Sequence, residues 1–277
     1  MVPTTLAPLT DLKRMSRTMR AWIITQSFDS KVGHIGSALS VVEIMAVLWG
    51  RVLRGAGTSA PDRDYFVLSK GHAALALYCA FRWNGLIDAA TFQTYCKDGT
   101  LLGVHPEVGT PGVDIAAGSL GQGLSIACGL AYGLKLRGSE ARVYTLLSDA
   151  ECNEGQVWEA AMFAAHQRLN NLTALVDVNG MQALGRTRDV LDLGPMKRRW
   201  QEFGWLARDV NGHDEAELLA ALEENRIQED GPFVVLAHTA LGKGVSFMED
   251  RLEWHYRNLT PELAKKALAE IAQAEEP

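Results

Sequence analysis

Short apolar runs rich in β-branched and aromatic residues recur along the chain, and most are followed by a loop and a helical stretch. Nearly continuous apolar strands are typical of a parallel sheet, because helices cover both of its faces. We therefore predict an α/β fold with a doubly wound, mostly parallel sheet and helices on both faces. In such a sheet, ligands bind beside the carboxyl ends of the strands. The predicted strands are Tyr65–Leu68, Val143–Leu147, Ala174–Val178 and Phe233–Leu236.

Length and composition narrow the class of protein. A chain of 277 residues can build one large core, so we expect residues 1–277 to form a single domain. With 47% hydrophobic residues, 22% charged residues and a formal net charge of -6, it has the composition of an ordinary globular protein. The sequence has no basic stripe for nucleic acid and no apolar stretch long enough to span a membrane.

The four cysteines lie far apart, without a C-x-x-C pair, so neither a zinc site nor a disulfide framework is favoured. The stretch up to Pro8 lacks the charged and apolar regions of an export signal. We therefore expect a cytoplasmic protein.

Apolar residues at helical spacing predict several helices. The first runs from Leu9 to Phe28, and the second begins at Ser40, a possible N-cap with Glu43 three residues later, and ends at Gly50. A third covers Glu154 to Leu169, and the segment Leu263 to Ala274 predicts a charged surface helix.

Oxygen-bearing side chains follow two of the predicted strands. Ser148-Asp149-Ala150-Glu151 comes directly after one strand, and another strand ends in Asp177-Val178-Asn179-Gly180-Met181-Gln182. Asp149, Asn179 and one backbone carbonyl would suit a magnesium ion that also binds a diphosphate, since magnesium prefers oxygen ligands. The alternative is that each residue only caps a helix or forms a turn.

A glycine-rich segment, Gly118 to Ser125, lies between these sites and the N-terminal half. A dinucleotide loop would need a strand immediately before it, and Asp114 to Ala117 is a poor strand. Without other information, the segment is a glycine-rich helix start that permits close packing.

The spacing of the two oxygen-bearing segments resembles the thiamine diphosphate motif of transketolases, in which G-D-G is followed at a similar distance by N. The run S-D-A-E-C-N-E-G-Q-V-W-E-A-A-M-F-A-A-H, which begins at Ser148, resembles the transketolase segment almost throughout, and similarity extends from about Leu12 to beyond His255. The resemblance implies a thiamine diphosphate-binding fold of the diphosphate-binding type.

The resemblance also implies a cofactor site for thiamine diphosphate with Mg²⁺, Ca²⁺ or Mn²⁺. Asp149 and Asn179 would bind the metal through their side chains and Met181 through its carbonyl, while Ala150 would donate its N–H to the diphosphate. Leu120 would pack against the cofactor, and Gly118 would contact it through the backbone.

Glu154 has two interpretations. The resemblance places it at a subunit interface, in an acidic network that couples two cofactors and so takes part in catalysis. From the residues alone, it is an acid that favours a helix N-terminus.

Histidines form the second set of candidate residues. A single histidine is more often structural than catalytic, but four of them match transketolase motif positions. The resemblance implies that His34 and His105 contact the ketose hydroxyls, and that His72 and His255 border the diphosphate and the thiazolium ring, with His255 also catalytic. His166, His213 and His238 match no such position.

The resemblance implies transfer of a two-carbon ketol unit from a ketose phosphate to an aldose. The resemblance implies that the pyrimidine-binding domain, with its glutamate and substrate-phosphate arginines, and the C-terminal domain lie outside this chain. We expect both on a separate partner subunit, in a heterodimer of dimers.

Two departures from the family keep other functions open. Ser148 and Ala150 stand where the family has glycines beside the metal-binding aspartate. His255-Tyr256 stands where the family has a histidine followed by a glycine. Alanine loses easy access to positive φ, so we expect different torsions in the phosphate loop, and Tyr256 would add bulk near the substrate channel. The alternatives are transfer of a glycolyl unit to a lipoyl or carrier-protein acceptor, and a catalytically silent cofactor-binding subunit.

Overall fold

The computed structural model describes residues 8–226 and 230–274. Five strands form one parallel sheet in the order β1-β2-β3-β7-β6, and β4 and β5 form a separate antiparallel hairpin. The strands are β1 (Tyr65–Leu68), β2 (Val143–Ser148), β3 (Leu172–Val178), β4 (Met181–Gln182), β5 (Gly185–Arg186), β6 (Leu206–Asn211) and β7 (Phe233–His238).

The α-helices are α1 (Leu9–Ser30), α2 (Ile35–Ser40), α3 (Val42–Val47), α4 (Ala74–Trp83), α5 (Ala89–Phe92), α6 (Gln122–Leu136), α7 (Gly155–His166), α8 (Thr187–Val190), α9 (Met196–Glu202), α10 (Glu215–Arg226) and α11 (Pro261–Gln273). A π-helical turn covers Leu48–Val52, and 3₁₀ turns cover Gly71–Ala73, Ala150–Asn153 and Leu252–His255.

Helices cover both faces of the sheet, as predicted. One hydrophobic core joins α1, α3, α4, α10 and α11 to sheet residues such as Leu146 and Val235. A second core joins α6, α7 and Trp200 of α9 to the opposite side of the same strands, through residues such as Leu147 and Val234. Neighbouring residues of β2 and β7 thus point into different cores, because successive side chains of a strand alternate between faces.

The four predicted strands are confirmed. β2 and β3 run in parallel with Ser148 opposite Asp177, and Asp177 is in turn opposite Ala237 of β7. The carboxyl ends of these strands therefore meet at one edge of the sheet, which brings the predicted metal ligands together.

The helix predictions are confirmed for α1, α7 and α11, with small shifts in their ends. The helix predicted from Ser40 to Gly50 is largely confirmed as α3 and the π-helical turn after it, but the N-cap prediction for Ser40 is wrong. Ser40 is the last residue of α2, and its hydroxyl donates to Asp177 instead of capping a helix. The C-terminal helix also has a buried face, made by Ala264, Ala267 and Ile271.

The strand β6 was not predicted. It lies at the edge of the sheet and most of its residues are at least partly exposed, so its sequence lacks a continuous apolar run. The β4–β5 hairpin escaped prediction because each of its strands has only two residues.

Among the described residues, no helix is both long and apolar enough to cross a membrane. All four cysteines are free thiols, as expected from their spacing. The N-terminal stretch before Pro8, in which we expect no export signal, lies outside the described residues.

Candidate functional site

A cavity of about 460 Å³ lies at the carboxyl edge of the sheet. Every residue predicted for the site lines it except Asp149, which lies buried just behind Ala150. The predicted residues that line the cavity are His34, His72, His105, Gly118, Leu120, Ala150, Glu154, Asn179, Met181 and His255. The fold therefore brings residues that are far apart in the sequence together around one cavity.

Asp149 follows the last residue of β2 and is almost completely buried. One carboxylate oxygen accepts the N–H of Ala150 at 2.8 Å, and the other accepts the N–H of Gly180 at 2.9 Å and the hydroxyl of Thr187 at 3.2 Å. Burial, together with the nearby Asp177, raises the pKa of Asp149 to about 6. A cation beside this carboxylate would offset both effects.

Asn179 follows β3 and has a fixed amide. Its Nδ2 donates to Asp177 at 2.9 Å, and its Oδ1 accepts the N–H of Met181 at 2.9 Å. No group of three or more His, Cys, Asp or Glu side chains that could hold a metal occurs in the described residues. A metal here would instead be bound by one carboxylate, one amide oxygen and one backbone carbonyl. These three ligands leave coordination positions free for other oxygens.

The backbone around Asp149 needs no glycine. Asp149 has φ -60° and ψ -40°, and Ala150 does not have positive φ. The hydroxyl of Ser148 accepts the N–H of Glu151 at 3.2 Å and so stabilises the 3₁₀ turn. Ala150 therefore takes no strained conformation, because the loop is right-handed here, and a difference from the family's loop torsions stays a prediction.

Glu154 is exposed and occupies the N-cap position of α7, with extended backbone and no side-chain cap hydrogen bond. Its side chain lies against Gly121, since a Cβ added there would be 2.7 Å from the Cβ of Glu154. Gly121 has φ +85° and precedes α6, which begins at Gln122.

The glycine-rich segment is therefore a helix start. Residues 114–117 do not form a strand, which confirms that the segment is not a dinucleotide loop. Leu120 stands partly exposed at the cavity wall.

Three histidine rings cluster at one side of the cavity. The ring centroids of His34, His72 and His255 are 5.3 to 5.6 Å apart. Burial lowers the pKa of all three, to about 4 for His34, and the nearby Lys70 contributes to each shift. These imidazoles are therefore neutral near pH 7.

The Nδ1 atoms of His34 and His255 are buried and, among the described residues, have no hydrogen-bond partner. Buried polar atoms without partners are costly, and at a cavity wall they are free to bind a ligand. His105 also lines the cavity, whereas His166, His213 and His238 do not.

Tyr256 stands at the mouth of the cavity with 61% of its surface exposed. Its ring centroid is 5.2 Å from that of His34 and 4.6 Å from that of His255. The expectation of extra bulk beside the site is confirmed by this position.

Lys70 was missed by the sequence analysis. It is fully buried, lines the cavity and pairs with Asp177. The sequence feature that could have identified Lys70 is its position in S-K-G-H, two residues before His72. Ser37, Ser148, Asn153, Gln182, Ala183 and Leu184 also line the cavity without having been predicted.

Residues 12–270 match the family described as transketolase, thiamine diphosphate binding domain. The chain belongs to this family. It is 37% identical over 264 residues to the 6-deoxy-6-sulfo-D-fructose transketolase subunit SqwG of Clostridium sp. (strain MSTE9), covering 94% of this chain and 96% of that protein. It is also 37% identical to an apulose-4-phosphate transketolase subunit from Actinobacillus succinogenes, again with 94% and 96% covered.

Solved transketolases share the fold. The crystal structure of transketolase from Campylobacter jejuni superposes with a TM-score of 0.85 at 27% identity and covers 95% of this chain. The chain spans only 42% of the length of that protein. Its length therefore corresponds to that of the two relatives named as subunits, of which it covers 96% each.

Proposed function

We propose that this chain is the cofactor-holding subunit of a two-chain transketolase, which transfers a two-carbon ketol unit from a ketose phosphate to an aldose. The observation that carries the proposal is that the parallel strand ends bring the side-chain oxygens of Asp149 and Asn179 to one sheet edge. The cavity at this edge is lined by Asn179 and by three neutral histidines. Membership of a thiamine diphosphate-binding family supplies the cofactor class.

The residues fit a divalent metal and a diphosphate. The buried carboxylate of Asp149, the amide oxygen of Asn179 and the carbonyl of Met181 would hold Mg²⁺, Ca²⁺ or Mn²⁺. The metal would offset the burial that raises the pKa of Asp149. The N–H of Ala150, which donates to Asp149 in this structure, would be shared with the diphosphate. The backbone at Gly118 and the side chain of Leu120 would also contact the cofactor.

When bound, thiamine diphosphate would supply a nucleophilic carbon for the ketose carbonyl and an electron sink for the two-carbon fragment. The chain's own residues orient the reactants. His34 and His105 would bind ketose hydroxyls, while His72 and His255 would border the diphosphate and the thiazolium side. Because burial keeps His34, His72 and His255 neutral, each can donate a hydrogen bond from one ring nitrogen and accept one at the other.

The rest of the active site belongs, in our proposal, to a partner chain. Residues 1–277 form the diphosphate-binding domain, and the pyrimidine-binding and C-terminal domains lie on a separate subunit. Two relatives of matching length are named as subunits, which supports this division. Glu154, exposed beside the cavity, would face the subunit interface and couple two cofactors in a heterodimer of dimers. The four free cysteines are consistent with a reducing cytoplasm.

The test is to co-express the chain with the product of its neighbouring reading frame and to titrate thiamine diphosphate with and without Mg²⁺ by calorimetry. We expect metal-dependent binding, and turnover of ketose phosphates only with both chains present. Absence of binding with and without the partner would refute the proposal. Binding without turnover of any ketose donor would leave a silent cofactor-binding subunit instead.

A further inference from the structure

Asp177, near the end of β3, is fully buried and lies behind the cavity wall. Its carboxylate accepts four hydrogen bonds from side chains of four different segments. The donors are Ser40 Oγ at 2.7 Å, Asn179 Nδ2 at 2.9 Å, Lys70 Nζ and Thr239 Oγ1. Asp177 therefore ties the end of α2 and the loops after β1, β3 and β7 to one point.

Asp177 also contacts the two residues that would bind the metal through their side chains, Asp149 and Asn179. Its backbone carbonyl accepts the N–H of Asp149 at 3.1 Å, and its side chain accepts the amide N–H of Asn179. These contacts use the backbone N–H of Asp149 and the side-chain nitrogen of Asn179, so they do not occupy the side-chain oxygens that would bind a metal. Asp177 therefore leaves the oxygens of both side chains to other partners.

The orientation of Asn179 decides what its amide can bind. One end of the amide is an oxygen that can bind a cation, and the other is an NH₂ group that cannot. Because Asp177 accepts from Nδ2, Oδ1 is the end that faces the N–H of Met181, and both Asn179 and Met181 line the cavity. Rotation of the amide by half a turn would present N–H groups to a cation.

A carboxylate suits this position because it only accepts hydrogen bonds. The hydroxyls of Ser40 and Thr239 can rotate to serve another partner, but the ammonium of Lys70 can only donate. Lys70 is also fully buried, so its charge needs the anion of Asp177. An amide at position 177 would turn one of its own NH₂ hydrogens toward these donors.

We propose that Asp177 is a positioning residue for the divalent-cation site. It holds the amide of Asn179 with its oxygen away from Asp177 and toward Met181, at the cavity wall, and it holds the backbone that carries Asp149. This inference rests on the proposed function, because the cation site it serves is part of that proposal.

The test uses the variant Asp177→Asn in the full chain co-purified with its partner subunit. Thiamine diphosphate affinity is measured by calorimetry with Mg²⁺ and with a chelator, and the ratio of the two affinities is the readout. We call this ratio the metal-dependent gain. We expect it to fall about 10- to 100-fold in the variant, as for other residues that orient metal ligands, while the affinity in chelator stays unchanged. A purely structural role would lower both affinities together.

The double variant Asp177→Asn/Asn179→Asp supplies the rescue. A carboxylate at position 179 has two equivalent oxygens, so its orientation no longer matters, and an anion remains near Lys70. We expect this variant to recover most of the metal-dependent gain. If Asp177→Asn alone does not fold, the exchange variant carries the test, and a folded exchange variant without metal-dependent gain overturns the inference.

Thr239→Val is the matched control. It removes one donor from the same carboxylate but leaves the contact with Asn179, so the wild-type ratio should be kept. An equal loss in this control, or an unchanged ratio in Asp177→Asn, would overturn the positioning role. A wild-type protein without any metal-dependent gain would instead refute the proposed function itself.

Discussion

The backbone N–H of His34 donates to the carbonyl of His255 at 2.9 Å, which joins the loop after α1 to the 3₁₀ turn before α11. The two segments can approach this closely because Gly33 lies against Tyr256. A Cβ added to Gly33 would be 2.7 Å from the carbonyl oxygen of Tyr256. Two of the three clustered histidines thus depend on a contact that only glycine permits.

Gly33→Ala should therefore separate His34 from His255. We expect a loss of roughly 1 to 3 kcal/mol in the free energy of unfolding, because the new methyl group meets backbone that cannot rotate away. Donor turnover should fall as well. Urea denaturation and steady-state kinetics would measure the two effects.

Gly129→Ala is a matched control, because a Cβ there meets nothing within 4 Å and the residue lies inside α6. This change should leave stability equal or raise it by about 0.4 to 1 kcal/mol. If Gly33→Ala were as stable as Gly129→Ala, the close approach of Gly33 and Tyr256 would be disproved.

Asp149→Ala should abolish metal-dependent binding of thiamine diphosphate. Asp149 supplies the only side-chain carboxylate of the proposed ligand set, and its removal leaves an amide and a carbonyl. Calorimetric titration with Mg²⁺ measures the effect. Asp192→Ala, at an exposed residue in the loop after α8, should bind as the wild type does. Retained affinity in Asp149→Ala would show that the metal motif is misinterpreted.

His105→Ala should spare the cofactor and slow the donor reaction. His105 lines the cavity but is assigned to the ketose hydroxyls, not to the diphosphate. We expect an unchanged thiamine diphosphate affinity and a lower kcat/KM for the ketose donor, by about 10- to 100-fold for one lost contact to a reacting sugar. His238→Ala, outside the cavity, is the control. An unchanged rate in His105→Ala would refute its assigned role.

The sequence could reveal Asp149 and Asn179 because each directly follows an apolar strand, and parallel strands bring their carboxyl ends together. It could not reveal the pairing of Lys70 with Asp177, since the two residues are 107 positions apart and only the folded sheet joins them. The same limit applies to Ser40, where local propensity predicts a helix cap and a distant carboxylate takes the hydroxyl instead.

A second buried charge cluster, outside the cavity, contributes to the response of the fold to acid. Glu43 pairs with Arg20 at 2.5 Å and with His213 at 2.9 Å, and its side chain is 6% exposed. Burial alone raises the pKa of Glu43, but Arg20 and His213 together lower it from 4.5 to about 2. Since the folded pKa lies below the unfolded one, the ion pair stabilises the fold above pH 4.5, and this stability is lost as the pH falls toward 2.

Glu43→Gln should remove this contribution and leave Arg20 without its buried anion. We expect a loss of about 3 to 5 kcal/mol in the free energy of unfolding at pH 7. The variant should also show a weaker fall in stability between pH 4.5 and pH 2, because the titrating group is gone. Glu253→Gln, in an exposed pair with Arg257, should cost less than about 1 kcal/mol. Equal pH profiles for wild type and Glu43→Gln, measured by urea denaturation across this range, would contradict the role of Glu43.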